Sequence, residues 1–170
     1  MAKRINAAFL AVASLVASPF ALADDHNPAT VKGGFYLGVK GIYTDLAPEA
    51  TDNAGGVGLL VAEHYANGFG VELEGTRSEA DVNLLDLNED YTLDTLGLYG
   101  VYRSPGALYF KVRGGLLWKQ LSVGGDRTDK TAFGGGVGGG YDFGKLLIEA
   151  EYTYVDKDIA QASIAVIGKF

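Results

Sequence analysis

Residues 131–156 read TAFGGGVGGGYDFGKLLIEAEYTYVD. Gly134, Gly136 and Gly139 spell a G-x-G-x-x-G pattern, and Asp142-Phe143-Gly144 spells the metal-binding triplet of protein kinases. A dinucleotide site needs a helix directly after its glycines, and a kinase needs a catalytic loop between its glycines and its DFG triplet. Neither is present. The segment after the glycines alternates, with Ile148, Ala150, Tyr152 and Tyr154 on one parity and Glu149, Glu151 and Thr153 on the other. Period two over this length is a β-strand with two unlike faces. Read with the same period, the glycine run is also a strand, and Phe143-Gly144 is the tight turn between the two.

Working outward from this hairpin, the alternation predicts eight strands: about 34–44, 56–65, 68–78, 92–103, 107–119, 132–142, 145–155 and 159–170. No segment carries a helical period. Ala66-Asn67, Ser104-Pro105-Gly106 and Phe143-Gly144 are short turns built from turn-forming residues. The other connections, at about 45–55, 79–91, 120–131 and 156–158, read as loops, so every tight turn falls at one end of an antiparallel meander. Eight up-and-down strands without a covering helix close on themselves to remove their edges. The expected fold is an all-β, eight-stranded antiparallel up-and-down barrel, either a soluble lipocalin-like carrier or a transmembrane β-barrel.

The distribution of side chains separates these two. One parity collects Leu37, Val39, Val57, Leu59, Val71, Leu98, Val112, Leu116, Val137, Ile164 and Val166, together with the aromatic residues Phe35, Tyr43, Tyr102, Phe110, Trp118, Phe133 and Tyr141. The other parity collects nearly all the charges of the strands, though not Glu63, with much glycine and alanine, including Gly134, Gly136, Gly138 and Gly140. Such a face is too sparse for a solvated exterior and suits a cramped interior. The pairs Phe35/Tyr43, Phe110/Trp118 and Phe133/Tyr141 are each eight residues apart, a rise of about 26 Å along a strand. At barrel tilt this is on the order of 20 Å vertically, which approaches the ~25 Å apolar band between two aromatic girdles. These features favour the transmembrane reading.

On the sparse face, Lys40 lies in the first strand, Glu72 and Glu74 in the third, Lys111 and Arg113 in the fifth, and Glu149 and Glu151 in the seventh, with Arg103 in the fourth as a further cation. Closure sets the first strand opposite the fifth and the third opposite the seventh, so these residues are expected to form one paired charge network filling the lumen. An eight-stranded barrel has an interior that side chains just fill, and an unpaired charge there costs several kcal/mol. The glycine row of the sixth strand is expected to leave room for these long side chains.

The chain opens MAKRINAAFLAVASLVASPFALADD, with basic Lys3 and Arg4, an apolar run, and Ala21-Leu22-Ala23 before two acids. This is read as a signal peptide over 1–23, then a short segment over 24–33 and a barrel over 34–170. The 170-residue chain has no cysteine, and without residues 1–23 its charge is about −9, from 12 basic and 21 acidic residues. This charge excludes nucleic acid as a partner.

With these residues in view, the chain resembles the eight-stranded outer-membrane barrels: the OmpA-type transmembrane domain and the opacity-type surface proteins of the porin family. GFYLGVKGIYTD is similar to that family's opening strand and NGFGVELEG to its first turn and third strand. IAVIGKF, with Ile164, Val166 and the terminal Phe170, looks like the signal read by the barrel-assembly machinery, with Gly168 standing where an aromatic residue is common. The resemblance implies export to a Gram-negative outer membrane, contact with its lipids and lipopolysaccharide, tight turns facing the periplasm and longer loops facing outside.

The function expected is a structural or surface-interaction role through acidic outer loops, with a narrow pore as the alternative. A soluble carrier and an outer-membrane lipid hydrolase or acyltransferase rank below these. No catalytic residue, cofactor or bound metal is expected. An acid-rich outer segment suits hard cations, but no spacing here matches a calcium loop. Leu84, Leu85 and Leu87 either contact a partner or extend the third and fourth strands as a hairpin. The external ligand is not legible.

Overall fold

The computed structural model describes residues 33–46, 54–84, 87–123, 126–156 and 159–170. It is a closed barrel of eight strands in sequential order: β1 (Gly34–Leu46), β2 (Ala54–His64), β3 (Phe69–Leu84), β4 (Leu87–Arg103), β5 (Leu108–Val123), β6 (Asp126–Asp142), β7 (Leu146–Asp156) and β8 (Ile159–Lys169). All neighbours are antiparallel, and β8 closes onto β1 through a ladder from Tyr36↔Lys169 to Leu46↔Ile159. The expected fold class is the one observed. The segments read as a signal peptide and an N-terminal linker lie outside the described residues, apart from Gly33.

The three tight turns share one device. Gly68, Gly106 and Gly144 have φ of 87°, 115° and 99°, a conformation that side-chain-bearing residues rarely adopt. In the last turn Gly144 N–H donates to Asp142 Oδ1 at 2.6 Å. The DFG triplet therefore works as an Asx-type turn.

The opposite end corrects the expectation. Residues 79–91 and 120–131 read as loops from alternation alone, but the β3–β4 ladder runs to Leu84↔Leu87 and the β5–β6 ladder to Val123↔Asp126. Leu84 and Leu87 extend the hairpin, while Leu85 lies outside the described residues. Pairing of β2 with β3 stops at Gly55↔Glu79, and pairing of β6 with β7 stops at Gly135↔Tyr154. Strands β3 to β6 thus continue as a four-stranded ribbon past the rest of the barrel. Antiparallel pairing satisfies the backbone as well in water as in the membrane, so the ladder persists where the apolar/polar alternation of the sequence ends.

Side chains alternate inside and out as the parity requires. Val57, Phe110, Phe133, Val137 and Ile164 face outward and exposed, whereas Lys40, Glu72, Lys111, Glu149 and Thr153 are buried in the interior. In β4 the inward set is Leu93, Thr95, Tyr99, Val101 and Arg103. The interior is layered. Tyr36, Leu60, Ala62, Tyr109, Leu147, Ala165 and Ile167 pack together toward the tight turns, and Tyr99, Val101, Leu117 and Val155 form a second apolar cluster.

Candidate functional site

The residues singled out inside the barrel come from five strands, and closure brings their charged ends together. Lys40 Nζ of β1 lies 2.6 Å from Glu74 Oε2 of β3 and 3.2 Å from Glu151 Oε1 of β7. Lys111 Nζ of β5 lies 2.9 Å from Glu72 Oε2, 2.5 Å from Glu149 Oε1 and 2.8 Å from Glu151 Oε2. Arg113 donates from Nη1 to Glu72 Oε1 at 2.5 Å and to Glu74 Oε2 at 2.7 Å, and its Nη2 lies 2.6 Å from Glu151 Oε1. Cations on β1 and β5 therefore alternate with carboxylates on β3 and β7. Each charge is shared among several partners across the lumen, which offsets the cost of taking it out of water.

Arg103 sits at the margin of this network. Its Nη2 is 3.9 Å from Glu149 Oε2, but its guanidinium lies over the Tyr109 ring at 4.0 Å and near the Tyr36 ring at 5.3 Å from the centroids. Arg113 lies over Tyr99 at 4.1 Å. Cation–π contact of this kind is strongest when desolvated. Tyr109 also donates its hydroxyl to Glu149 Oε2 at 3.0 Å. Tyr36, Tyr99 and Tyr109 are not legible as members of the site from sequence, because their parity alone does not say which cation each ring meets.

The glycine row of β6 is the wall against which these groups pack. A Cβ at Gly136 would lie 3.1 Å from Thr153 Oγ1 and 3.3 Å from Arg113 Nε, and one at Gly138 would lie 2.6 Å from Ala150 O and 3.1 Å from Glu151 Cα. At Gly140 the neighbour is Tyr109, and at Gly134 it is Tyr99. The space is thus shared between charges and tyrosine rings, a wider use than charge alone.

Beyond the charges runs a set of hydroxyls. Gln161 Nε2 donates to Thr44 Oγ1 at 3.3 Å, Thr44 and Ser78 share a hydrogen at 3.0 Å, Thr76 and Thr95 at 2.6 Å, and Arg113 Nη2 donates to Thr153 at 2.8 Å. His64, the sole histidine among the described residues, is buried with its ring edge-on to Tyr36 at 5.0 Å.

On the outer surface, Phe69–Tyr102 and Tyr102–Phe110 rings meet at 5.2 and 6.0 Å, Tyr141–Phe143 at 4.7 Å and Phe35–Phe170 at 6.5 Å. These form an aromatic rim at the tight-turn end. Tyr43, Trp118 and Phe133 stand exposed nearer the other end. Ile164 and Val166 of β8 also face outward, and Phe170 N–H donates to Phe35 O at 2.9 Å. Glu63 falls on the outward parity in register with Phe35 and Val71, close to the first turn.

A closed barrel with an apolar exterior and an ion-paired interior is inverted relative to a soluble carrier, and defines a membrane-spanning outer-membrane-type barrel. The chain belongs to the family of outer membrane protein beta-barrel domains, whose model matches residues 7–167. This family places it in the bacterial outer membrane and overturns the soluble-carrier alternative.

Three solved structures share the fold. Neisserial surface protein A is 20% identical, with a TM-score of 0.59 over 81% of this chain and 97% of that one. Ail, the attachment invasion locus protein of Yersinia pestis, crystallised with the heparin analogue sucrose octasulfate, is 16% identical with a TM-score of 0.58 over 82% and 99%. A de novo designed transmembrane β-barrel is 14% identical with a TM-score of 0.51 over 86% and 100%. Comparison with curated proteins finds no match.

Proposed function

We propose that this protein is a closed outer-membrane barrel that acts at the cell surface through the ribbon formed by the outer parts of β3 to β6. The observation that carries this reading is the difference in strand length. β3 to β6 have 16, 17, 16 and 17 residues, whereas β2, β7 and β8 have 11 each. A barrel needing only to span the membrane has no use for the extra rungs. The lumen charges close the interior as a plug, because every carboxylate in the network is held by a cation from another strand. This disfavours the pore alternative, although the hydroxyl set above the network is the feature on which a pore would draw.

The surface reading implies a particular partner chemistry. Segments 45–55 and 79–91 carry Asp45, Glu49, Asp52, Glu79, Asp81, Asp86, Glu89 and Asp90 and no basic residue. In segment 120–131 Arg127 and Lys130 only balance Asp126 and Asp129, so the outer surface stays acidic; a sulfated polyanion of the kind bound by Ail is repelled by it, and the partner is neutral or cationic. Lipopolysaccharide surrounds the barrel, and the assembly machinery engages its C-terminal strand through Ile164, Val166 and Phe170. No catalytic role is assigned. His64 packs against Tyr36, and among the described hydrogen bonds none joins it to a serine.

Orientation is tested by cysteine labelling, since the chain has no cysteine of its own. A membrane-impermeant maleimide on intact cells labels Asp86→Cys and leaves Pro105→Cys unlabelled. The reverse pattern puts the ribbon in the periplasm and ends the surface reading.

A further inference from the structure

Past the pair Gly135↔Tyr154, β6 continues to its outer end without β7. Among the described residues no strand pairs with residues 126–133 on that side, while β5 pairs with them on the other. This open edge runs about 27 Å along the strand. Backbone groups alternate between the two neighbours of a strand: Asp142 N–H donates to Ala107 O on the β5 side, and Phe143 N–H to Leu146 O on the β7 side. The β5–β6 register runs without a shift from Leu108↔Tyr141 to Val123↔Asp126, so odd-numbered residues of β6 direct their N–H and C=O at the edge. Thr128, Asp129 and Lys130 are exposed there.

The sequence on this edge is Asp126-Arg127-Thr128-Asp129-Lys130. Charges on an edge strand ordinarily deter pairing, but this order is complementary to itself read backwards. A second copy adding antiparallel must keep like faces together, so residues of equal parity pair. Registers centred on Arg127, Asp129 or Lys130 set that charge opposite itself. The register centred on Thr128 instead sets Asp126 opposite Lys130 and Arg127 opposite Asp129 of the other copy, and opposite charges in such positions stabilise a strand pair.

We propose that the outer edge of β6 is a homophilic contact that joins two copies in facing outer membranes, by antiparallel strand addition centred on Thr128. An antiparallel partner in the same membrane would be upside down, whereas one standing in an opposed membrane directs its β6 the required way. The inference deepens the surface role proposed for the ribbon and rests on it. It also fits the charge of that surface, because β6 is the edge of the ribbon furthest from the acidic β3–β4 hairpin. The two β3 strands of a pair lie seven strand spacings apart, about 33 Å, well beyond the ~8 Å screening length. The overlap is short, so a single contact is weak and many copies act together.

The test uses the whole protein displayed on a Gram-negative host with truncated lipopolysaccharide, in two populations that carry different fluorescent proteins. Cells with the native protein form mixed clumps. Arg127→Asp sets two carboxylates opposite each other and Asp129→Arg sets two guanidinium groups opposite each other, so each variant alone stays dispersed. Mixing the two variants restores an acid opposite a base at both crossings and with it the clumps, which a misfolded variant would not do. Thr128→Cys, in an otherwise cysteine-free chain, meets its own copy in a non-hydrogen-bonded pair with Cα atoms about 4.5 Å apart, so mild oxidation of the clumps gives a disulfide-linked dimer. Native cells that stay dispersed while their Asp86→Cys counterpart is surface-labelled overturn this inference alone. So do single variants that clump as the native protein does, a mixture that stays dispersed, or Thr128→Cys clumps that yield no dimer. Protection of Asp86→Cys from the impermeant maleimide overturns the surface reading, and this inference with it.

Discussion

Arg113 grips Glu74 with both guanidinium nitrogens, Nη1 to Oε2 at 2.7 Å and Nη2 to Oε1 at 3.2 Å, across 39 residues of sequence and the width of the lumen. Arg113 shares its Nη1 with Glu72 and its Nη2 with Thr153, so with Lys111 it joins β3, β5 and β7. Arg113→Met retains much of the volume and leaves Glu72, Glu74 and Glu151 short of a cation. The loss should be about 3–5 kcal/mol, the usual result of stranding a buried charge, read as an earlier midpoint in urea unfolding of the folded barrel in detergent micelles.

The ring beneath that guanidinium matters separately. Tyr99→Leu removes the cation–π face on Arg113 and opens a void beside Gly97 and Gly134, both of which lie against the Tyr99 ring. A destabilisation of about 2 kcal/mol is expected from the lost ring and cavity. Tyr99→Phe keeps the ring and should cost far less. Equal effects in the two unfolding curves would assign the role to the hydroxyl.

Glycines of β6 and β2 should respond in opposite ways. Gly138→Leu meets Ala150 O at 2.6 Å and Glu151 Cβ at 3.2 Å, contacts that a strand backbone and a paired carboxylate cannot yield. Overpacking here should cost about 1–3 kcal/mol or more and reduce the heat-modifiable fraction on gels. Gly55→Ala, where an added Cβ meets nothing within 4 Å, should behave as the native protein.

Glu79 and Thr92 are register partners in the β3–β4 ladder. Replacing residues 80–91 by Asn-Gly therefore joins them through a two-residue hairpin turn. The shortened barrel should fold and show the native heat shift while losing any surface interaction carried by the ribbon. Failure to fold would show that the ribbon stabilises the barrel.

The barrel itself was legible because lipid and lumen impose opposite chemistry on alternate residues, and that contrast survives in Ile148/Glu149/Ala150/Glu151 without any knowledge of neighbours. The ribbon was not. From Glu79 to Asp94 the sequence loses its regular apolar/polar contrast, and its acidic residues read as loop although the β3–β4 ladder continues. The charge network was legible as a set, since Lys40, Glu72, Lys111 and Glu149 could only point inward. The tyrosines against Arg103 and Arg113 required the register, which alternation alone does not supply.

Planar-bilayer conductance tests the closed lumen most directly. The native protein in potassium chloride at neutral pH should insert without sustained current steps, while Glu72→Gln combined with Glu149→Gln, which strips Lys111 of two of its three carboxylates, should conduct or flicker and unfold earlier. Steady single-channel steps from the native protein, unchanged by the double substitution, would contradict the account.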